Sequence, residues 1–345
     1  MNDPGRRRRL RTVIWTIAAA VLAIGGMFVV YRNLDVDRLA AVIINAHLGW
    51  LAVLGLSIPL EQLVRSWKWR QILYDLRPIG SLRLFGAVMV GYFANMLAPV
   101  GLSPLVRAWL VARLENLPVA TILSTTVIER FIDGIVFAVI VGLMIVFAPL
   151  PMIDGDLRLW LAVAGGGSLI LFGGMFLYIF RLKDKLATGD TFIGKTLERL
   201  ERAFGGRLEG LREDLITGII WPTSRPRAMG VVAASVAMKL IAIGHFLWAG
   251  QAFGIVLPAS YYLFIMVFTS FALIMSRFIR IPGGGVIGAA FALNLLGVAE
   301  EEALAMVTVV FAASHLLIAA IGAISMWKSG LTIINIRQYM SRQEG

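Results

Sequence analysis

Three ionisable residues stand close together in the middle of an otherwise apolar stretch, residues 117–147. They are Glu129, Arg130 and Asp133. On a helix, Glu129 and Asp133 are i,i+4 neighbours and Arg130 is i,i−3 from Asp133, so we expect the three groups to share one side. If this helix enters a bilayer near Val119, Glu129 lies about 15 Å deep, close to the midplane.

A charge at that depth costs roughly 2.5 to 3.5 kcal/mol, so we expect the cluster to face protein or water rather than lipid. Two interpretations fit this expectation. The cluster is either a buried polar clasp between helices or the wall of a path for a substrate or ion. The second interpretation is the functional hypothesis developed below.

The composition indicates a membrane protein with several spans. Apolar residues make up 59% of the 345 residues, charged residues only 15%, and the mean hydropathy is +0.81. Soluble domains carry about 25% charged residues. The net charge of +11 comes largely from basic residues beside apolar stretches, where they set topology, so nucleic-acid binding is not favoured. The sequence has no cysteine and three histidines, so we expect no disulfide, no metal site and no cofactor.

The charge pattern predicts that both termini are cytoplasmic. Arginines 6–9 and Arg11 precede the uncharged residues 13–30, which we interpret as an uncleaved first span because no small-residue cleavage site follows. We predict a single transmembrane domain over residues 1–345. Its parts are a basic cytoplasmic N-terminus (1–12), a first half (13–180), a cytoplasmic amphipathic connector (181–227), a second half (228–327) and a cytoplasmic tail (328–345).

A second apolar stretch, residues 50–67, carries Glu61 and Arg65 at i,i+4. Arg65, with Lys68 and Arg70, suits side chains that reach from the helix end to the inner membrane surface. Glu61 lies further from that end, and it is a candidate member of the central cluster.

Two hairpins interrupt the pattern of full spans. In the first hairpin, residues 84–98 are followed by a break that contains Pro99, Gly101 and Pro104, and Arg107 lies near the start of the segment that returns. In the second hairpin, the break is Pro282-Gly283-Gly284. Irregular backbone at membrane depth is tolerated where it lines a cavity, and a returning half-helix turns its positive end towards that cavity. Arg107 is therefore either an anion-binding residue or a partner for the acids of the central cluster.

The two hairpins open from opposite sides of the membrane, as in transporters built from inverted repeats. We predict an all-α polytopic bundle with about six full spans plus two broken or re-entrant hairpins in an inverted repeat. The late glycines do not suit a nucleotide loop, because no Gly-Lys-Ser/Thr follows them. Lys239 and His245, on the apolar stretch 228–249, are either buried polar contacts or cavity lining.

Several short motifs resemble a known family. In chain order they are Arg65-Ser66-Trp67-Lys68-Trp69-Arg70, Asn95-Met96-Leu97-Ala98-Pro99 followed by Arg107-Ala108, Glu129-Arg130 with Asp133, and Pro282-Gly283-Gly284. Together they resemble the transmembrane family named after lysylphosphatidylglycerol synthase, also called the flippase-like domain, over roughly residues 10–327. The resemblance implies a bacterial inner-membrane protein that translocates lipids or lipid-linked intermediates. The soluble aminoacyl-transferring domain of the namesake synthase is absent, so lysine transfer is not implied.

The chain departs from the family pattern at both hairpins. Ser103-Pro104 stands where a Gly-Glu pair is expected before the hairpin arginine, and the residues after the late glycines, near 288–290, are apolar instead of acidic. The remaining acids within the apolar stretches are Glu61, Glu129 and Asp133. We therefore expect Asp133 to be a counter-ion that an anionic substrate displaces rather than a catalytic base.

The functional hypothesis is translocation of an anionic membrane lipid or lipid-linked substrate, without catalysis. The predicted substrate-binding residues are Arg107, Glu129, Arg130, Asp133, Arg277 and Arg280. The predicted gating or supporting residues are Glu61, Arg65, Asn95, Pro99, Gly101, Pro282, Gly283 and Gly284. The alternatives are a membrane-embedded partner of a lipid-synthesis enzyme, with segment 181–227 as the contact, and a lipid-carrier transferase.

Overall fold

The computed structural model describes residues 41–97, 103–147, 155–181, 183, 196, 199, 210–279 and 283–329, and all regular secondary structure within these residues is helical. The helices with defined bounds are α1 (Leu48–Leu73), α2 (Ser81–Leu97), α3 (Ser103–Glu115), α4 (Val119–Phe147), α5 (Gly155–Arg181), α6 (Leu211–Thr217), α7 (Arg225–Ala252), α8 (Ala259–Ile279), α9 (Gly284–Leu295) and α10 (Glu300–Lys328). The prediction of an all-α protein is confirmed.

Five of the described helices are long and apolar enough to cross a membrane, namely α1, α5, α7, α8 and α10. Helix α4, with 29 residues, is also long enough to cross a membrane, but it carries the three ionisable residues at 129, 130 and 133. The predicted first span, residues 13–30, lies outside the described residues. The number of spans, the inverted repeat and the side of each terminus therefore stay predictions.

Each predicted hairpin consists of two helices in close contact. In the first, α2 passes α3 at Gly91, where a Cβ atom would lie 2.8 Å from the backbone oxygen of Ser103. In the second, α8 passes α9 so closely that a Cβ on Gly284 or Gly288 would overlap the side chain of Ser276 or Ala272. The breaks at 98–102 and 280–282, which include Pro99, Gly101, Arg280 and Pro282, lie outside the described residues.

Three helices end in a left-handed residue that reverses the chain. The residues are Asn116 after α3 (φ 52°), Gly254 after α7 (φ 73°) and Gly297 after α9 (φ 83°). Behind Gly297, the backbone N–H of Val298 donates to the oxygen of Leu293 at 3.1 Å. This is the Schellman arrangement, and it supplies partners to carbonyls that the helix end leaves open.

The loop after α1 is fastened to the start of α7. The carboxylate of Asp75 accepts hydrogen bonds from the backbone N–H of Thr223 at 2.8 Å, its hydroxyl at 2.9 Å and Arg227 Nη1 at 3.0 Å. The Arg227 guanidinium also lies 3.5 Å from the ring centre of Tyr74. The hydrogen bond from the Thr223 backbone, helped by the charge of Arg227, lowers the pKa of Asp75, so this fastening holds at neutral pH.

The described residues form two compact units, each built from separate parts of the chain. One contains the residues up to Leu54 and Ile243–Ala313, with the α8–α9 hairpin. The other contains Gly55–Val146, Gly155–Ala242 and the residues from Ser314 onward, with the α2–α3 hairpin. Its apolar core is formed by buried side chains from α1, α2, α3 and the first turns of α4, among them Trp69, Leu84, Val88, Ala108 and Ile122. Trp69 of this core contacts the guanidinium of Arg107.

Candidate functional site

Two carboxylates on α4 meet two cations on α1 inside the protein. Glu129 and Asp133 are one turn apart on α4, and Arg65 and Lys68 are one turn apart on α1, so each pair presents its groups along one helix face. Arg65 Nη1 lies 3.5 Å from Glu129 Oε1 and 3.4 Å from Asp133 Oδ2. Lys68 Nζ lies 3.4 Å from Glu129 Oε1 and pairs closely with Asp133 Oδ1. Both cations thus bridge both acids.

The α2–α3 hairpin adds a third cation. Arg107 Nη2 lies 2.6 Å from Glu129 Oε2, the shortest contact of that carboxylate. The guanidinium of Arg107 also stacks 4.8 Å from the ring centre of Trp69, whose indole N–H donates to Thr125 Oγ1 at 3.0 Å. The tight passage of α3 against Gly91 brings this helix in, since a Cβ on Gly91 would lie 3.2 Å from the Cβ of Arg107. The first hairpin therefore delivers its arginine to the cluster.

Asp133 also receives a hydroxyl from α7. Ser235 Oγ donates to Asp133 Oδ1 at 3.3 Å, so α1, α4 and α7 converge on this carboxylate. Ser235 is fully buried. Asp133 Oδ1 therefore accepts from Lys68 on α1 and Ser235 on α7, and Oδ2 accepts from Arg65 on α1.

Arg65 is oriented by its own helix and by α2. Its Nε donates to Gln62 Oε1 at 3.3 Å, its Nη2 lies 3.6 Å from Glu61 Oε1, and its guanidinium lies 5.9 Å from the ring centre of Tyr92. Gln62 and Arg65 are both buried. The N–H donors of the Arg65 guanidinium are therefore directed largely at protein groups.

Exposure divides the cluster into a buried base and an accessible rim. In the base, the side chains of Glu129 and Lys68 are 0% exposed and that of Arg107 is 1% exposed. In the rim, the side-chain exposure is 10% for Arg65, 13% for Asp133 and 17% for Glu61. The base is the fully buried part of the cluster, and the rim is its more exposed part.

The energetics require this degree of pairing. Removing a charge from water costs several kcal/mol per ion, and mutual attraction repays that only when geometry is good and the hydrogen bonds are complete. In the base, one carboxylate lies within reach of three cations: Arg65, Lys68 and Arg107. The loss of one member of this cluster would leave an uncompensated buried charge.

The other predicted substrate-binding residues are Arg130, Arg277 and Arg280, of which Arg280 lies outside the described residues. Arg130 is exposed, and it belongs to none of the ion pairs that the described residues form with Glu129 or Asp133. We expected Arg130 to lie beside Asp133, and the structure differs. Successive residues of a helix are rotated by about 100°, and this rotation turns Arg130 away from the buried face of α4. Arg277 lies in the last turn of α8, close to the second break.

Three of the predicted gating or supporting residues, Asn95, Gly283 and Gly284, lie on α2 or at the start of α9. Asn95 is on α2, and its Oδ1 is buried without a hydrogen bond from any described residue. Gly283 has a positive φ of 73° and immediately precedes α9, a conformation that glycine adopts without strain. Gly284 begins α9 at the close contact with Ser276.

Sequence reasoning missed Lys68 as a member of the site. It assigned Lys68 to the inner membrane surface, whereas the side chain is fully buried and pairs with both acids of α4. Its position three residues after Arg65 and seven after Glu61 is the signal that places all three on one helix face. Ser235 was missed as well, and a single serine on an apolar helix carries no such signal.

Within the described part of the chain, no group of three or more His, Cys, Asp or Glu side chains is arranged to hold a metal ion. The cluster is an alternation of cations and carboxylates joined by charge-assisted hydrogen bonds.

Apolar helices of spanning length around buried, paired charges define a multi-pass integral membrane protein. The family model described as the lysylphosphatidylglycerol synthase TM region matches residues 15–322, and the chain belongs to this family. The family predicted from the motifs is thereby confirmed, and the match is to the transmembrane region, with no soluble domain matched. No curated protein and no solved structure shows a significant match to the chain.

Proposed function

We propose that this protein translocates an anionic lipid or lipid-linked intermediate across the cytoplasmic membrane of a bacterium, in the manner of a flippase. The observation that carries the proposal is the cluster of Arg65, Lys68 and Arg107 with Glu129 and Asp133 among membrane helices. Ionisable groups are rare inside membrane proteins because they are costly, and they commonly mark a path for a substrate or ion.

The division into base and rim supports exchange of partners. Guanidinium and ammonium groups bind phosphate oxygens through charge-assisted hydrogen bonds, and they bind carboxylates in the same way. Asp133, in the accessible rim, is the counter-ion that an anionic headgroup replaces at Arg65. Glu129, in the base, holds the remaining cations in place during the exchange.

We propose a second headgroup contact at the α8–α9 hairpin. Arg277 lies in the last turn of α8 and Arg280 comes three residues later in the sequence, while Gly283 precedes α9 and Gly284 begins it. Free backbone N–H groups at a helix start favour an anion, and an adjacent arginine adds a fork of donors. This arrangement is suited to a phosphate on the path of the lipid.

The test is lipid movement in proteoliposomes that contain the purified full chain. Acyl-labelled fluorescent phosphatidylglycerol is exposed to dithionite, a quencher that does not cross the bilayer, with and without an imposed proton or potassium gradient. We expect the protein to raise the quenched fraction above the outer-leaflet value. Cardiolipin and a polyprenyl phosphate extend the panel of anionic lipids, and phosphatidylcholine is the zwitterionic comparison.

A pair of matched variants separates the site from the rest of the surface. Asp133→Asn removes the rim carboxylate, and we expect slower movement of the anionic lipid; Asp156→Asn makes the same change in the first turn of α5 and should leave movement unaltered. Absence of protein-dependent movement for every anionic lipid, under every gradient, would overturn the proposed function.

A further inference from the structure

Lys239 lies on α7, on the side of this helix that faces Asp133. Its contact is with an aromatic ring, unlike the ion pairs of the cluster. Lys239 follows Ser235 by one turn, and its Nζ lies 5.2 Å from the ring centre of Phe137, which follows Asp133 by one turn on α4. Ser235 in turn donates to Asp133 at 3.3 Å. Two successive turns of α7 therefore oppose two successive turns of α4, with a hydroxyl and an ammonium on one side.

Lys239 belongs to none of the ion pairs within 4 Å that the described residues form. It nevertheless interacts electrostatically with Asp133, Arg65, Glu61 and Lys68. Its close partner is the face of an aromatic ring, a contact worth about 0.5 to 2 kcal/mol and therefore weaker than a desolvated ion pair. The ammonium thus has capacity for an anion.

Among the buried and half-buried groups, the cluster together with Lys239 carries one more positive than negative charge when every group is ionised; Arg130, whose charge also acts on Glu129, is exposed and is not counted. The four cations are Arg65, Lys68, Arg107 and Lys239, and the three acids are Glu61, Glu129 and Asp133. A buried surplus of one charge is stabilised when a single negative charge enters. A phosphodiester headgroup brings one negative charge, whereas a diphosphate brings more than one.

The exposure of the side chains also indicates that a headgroup would enter at the rim, where Lys239 lies. Lys239 is partly buried, as are the rim residues Asp133 and Glu61, and the side chain of Arg65 is 10% exposed, whereas Lys68 is sealed in the base. Along α4 the base residue Glu129 comes first and Asp133 and Phe137 follow. A headgroup that reaches the rim therefore meets Arg65 and Lys239 before any other cation of the cluster.

Resting on the proposed function, we propose that Lys239 and Ser235 form the phosphate-binding subsite for a lipid with a monoanionic phosphodiester headgroup. The ammonium of Lys239 donates to one phosphate oxygen. The Ser235 hydroxyl turns its proton from Asp133 to a second oxygen, while Asp133 keeps its pair with Lys68. Lys239 and Ser235 thus set the preference for a single negative charge.

The experiment measures lipid binding to the purified full chain in detergent by native mass spectrometry. The probes are phosphatidylglycerol, zwitterionic phosphatidylcholine and a short polyprenyl diphosphate. For the unaltered chain, we expect phosphatidylglycerol to bind more tightly than both other probes. Tighter binding of the diphosphate would overturn the assignment of a monoanionic headgroup.

Lys239→Met keeps the length of the side chain and removes its charge. We expect at least a tenfold loss of affinity for phosphatidylglycerol, a smaller loss for phosphatidylcholine, whose phosphate charge is balanced by its own choline cation, and recovery with Lys239→Arg. Ser235→Ala should cost a smaller loss, since it removes one neutral donor. The control is Lys328→Met, which makes the same change at the exposed end of α10 and should bind phosphatidylglycerol like the unaltered chain.

The outcomes distinguish the subsite from the proposed function. If the unaltered chain selects phosphatidylglycerol and Lys239→Met selects it equally, the subsite is wrong while translocation of anionic lipids stands. If Lys239→Met loses both lipids alike, Lys239 has a structural role and the subsite is also wrong. If the unaltered chain shows no preference for an anionic lipid, both the subsite and the proposed substrate class are overturned.

Discussion

Glu129 is the residue on which the buried charges of this protein depend. Its side chain has no exposed surface, and its two oxygens lie within 2.6 to 3.5 Å of Arg107, Lys68 and Arg65. Breaking one buried pair is more costly than replacing both partners with apolar groups, because the remaining charge then lacks compensation. This cost should be clearest for Arg107, because its side chain is as deeply buried as that of Glu129 and its shortest ion pair is to Glu129.

Arg107→Leu should destabilise the protein by about 3 to 5 kcal/mol, the usual cost of breaking a buried ion pair on one side. The double variant Arg107→Leu with Glu129→Leu should recover much of that loss, because no lone charge is left in the base. Unfolding in mixed micelles of sodium dodecyl sulfate measures both changes. Arg113→Leu, at the exposed end of the same helix, is the matched control and should have little effect.

An equal loss for the single and double variants would contradict this account. It would mean that Arg107 contributes by packing on Trp69 rather than by balancing the charge of Glu129. Undiminished stability of Arg107→Leu would show that Arg65 and Lys68 alone compensate the carboxylate.

Residue types and spacing were sufficient to predict that Glu129 and Asp133 face protein or water and that Arg107 is a candidate partner for them, but not that Lys68 and Ser235 are partners too. Glu129 and Asp133 were identified because three ionisable residues inside an apolar stretch demand burial or pairing. Lys68 was misplaced because its nearness to the end of the apolar stretch resembles a surface position. The structure extends α1 to Leu73, and the buried Trp69 and Ile72 show that other helices cover this end too. Which helices provide that cover is tertiary information that a single sequence does not contain.

At the scale of elements, the α2–α3 hairpin positions Arg107 through a backbone contact. Gly91 lets α3 approach so closely that a methyl group there would lie 2.8 Å from the backbone oxygen of Ser103. The backbone of a helix yields less readily than the tip of a side chain, so α3 itself has to shift to accept a Cβ. The sequence predicted the hairpin from its Pro-Gly-Pro break, whereas the point of closest approach on α2 required the structure.

Gly91→Ala should therefore destabilise the hairpin by about 1 to 3 kcal/mol, as expected for overpacking in a close contact. Gly86→Ala on the same helix is the control. Its Cβ would lie 3.9 Å from the nearest atom, on Ser325, so the change should stay within about 1 kcal/mol in either direction. Unfolding in mixed micelles compares the two variants under one condition.

The shift of α3 also predicts an effect on the site. Since the added methyl group would lie 3.2 Å from the Cβ of Arg107, Gly91→Ala should slow the movement of fluorescent phosphatidylglycerol in proteoliposomes, and Gly86→Ala should not. Equal behaviour of the two alanine variants in both assays would refute the role of close approach at Gly91.

At the scale of the whole molecule, each of the two compact units contains one broken hairpin. The sequence predicts that these hairpins open from opposite sides of the membrane, because Arg77 and Arg83 flank the start of the first, while the loop 148–156 and the start of α10 lack Lys and Arg. Charge distribution predicts sides, but it does not predict depth. Opposite sidedness is the feature that alternating access in an inverted repeat requires.

The natural absence of cysteine makes this sidedness directly testable, since any introduced cysteine is the sole thiol. Gly80→Cys, before α2, and Gly155→Cys, at the start of α5, are suitable because a Cβ at either glycine meets no atom within 4 Å. Glu300→Cys, exposed at the start of α10, reports on the second half. We expect a membrane-impermeant maleimide to label Gly155→Cys and Glu300→Cys in intact spheroplasts, and Gly80→Cys only after permeabilisation. Labelling of Gly80→Cys and Glu300→Cys from the same side would rule out hairpins that open in opposite directions, and with them the inverted repeat, because the first hairpin starts at Gly80 and the second ends just before Glu300.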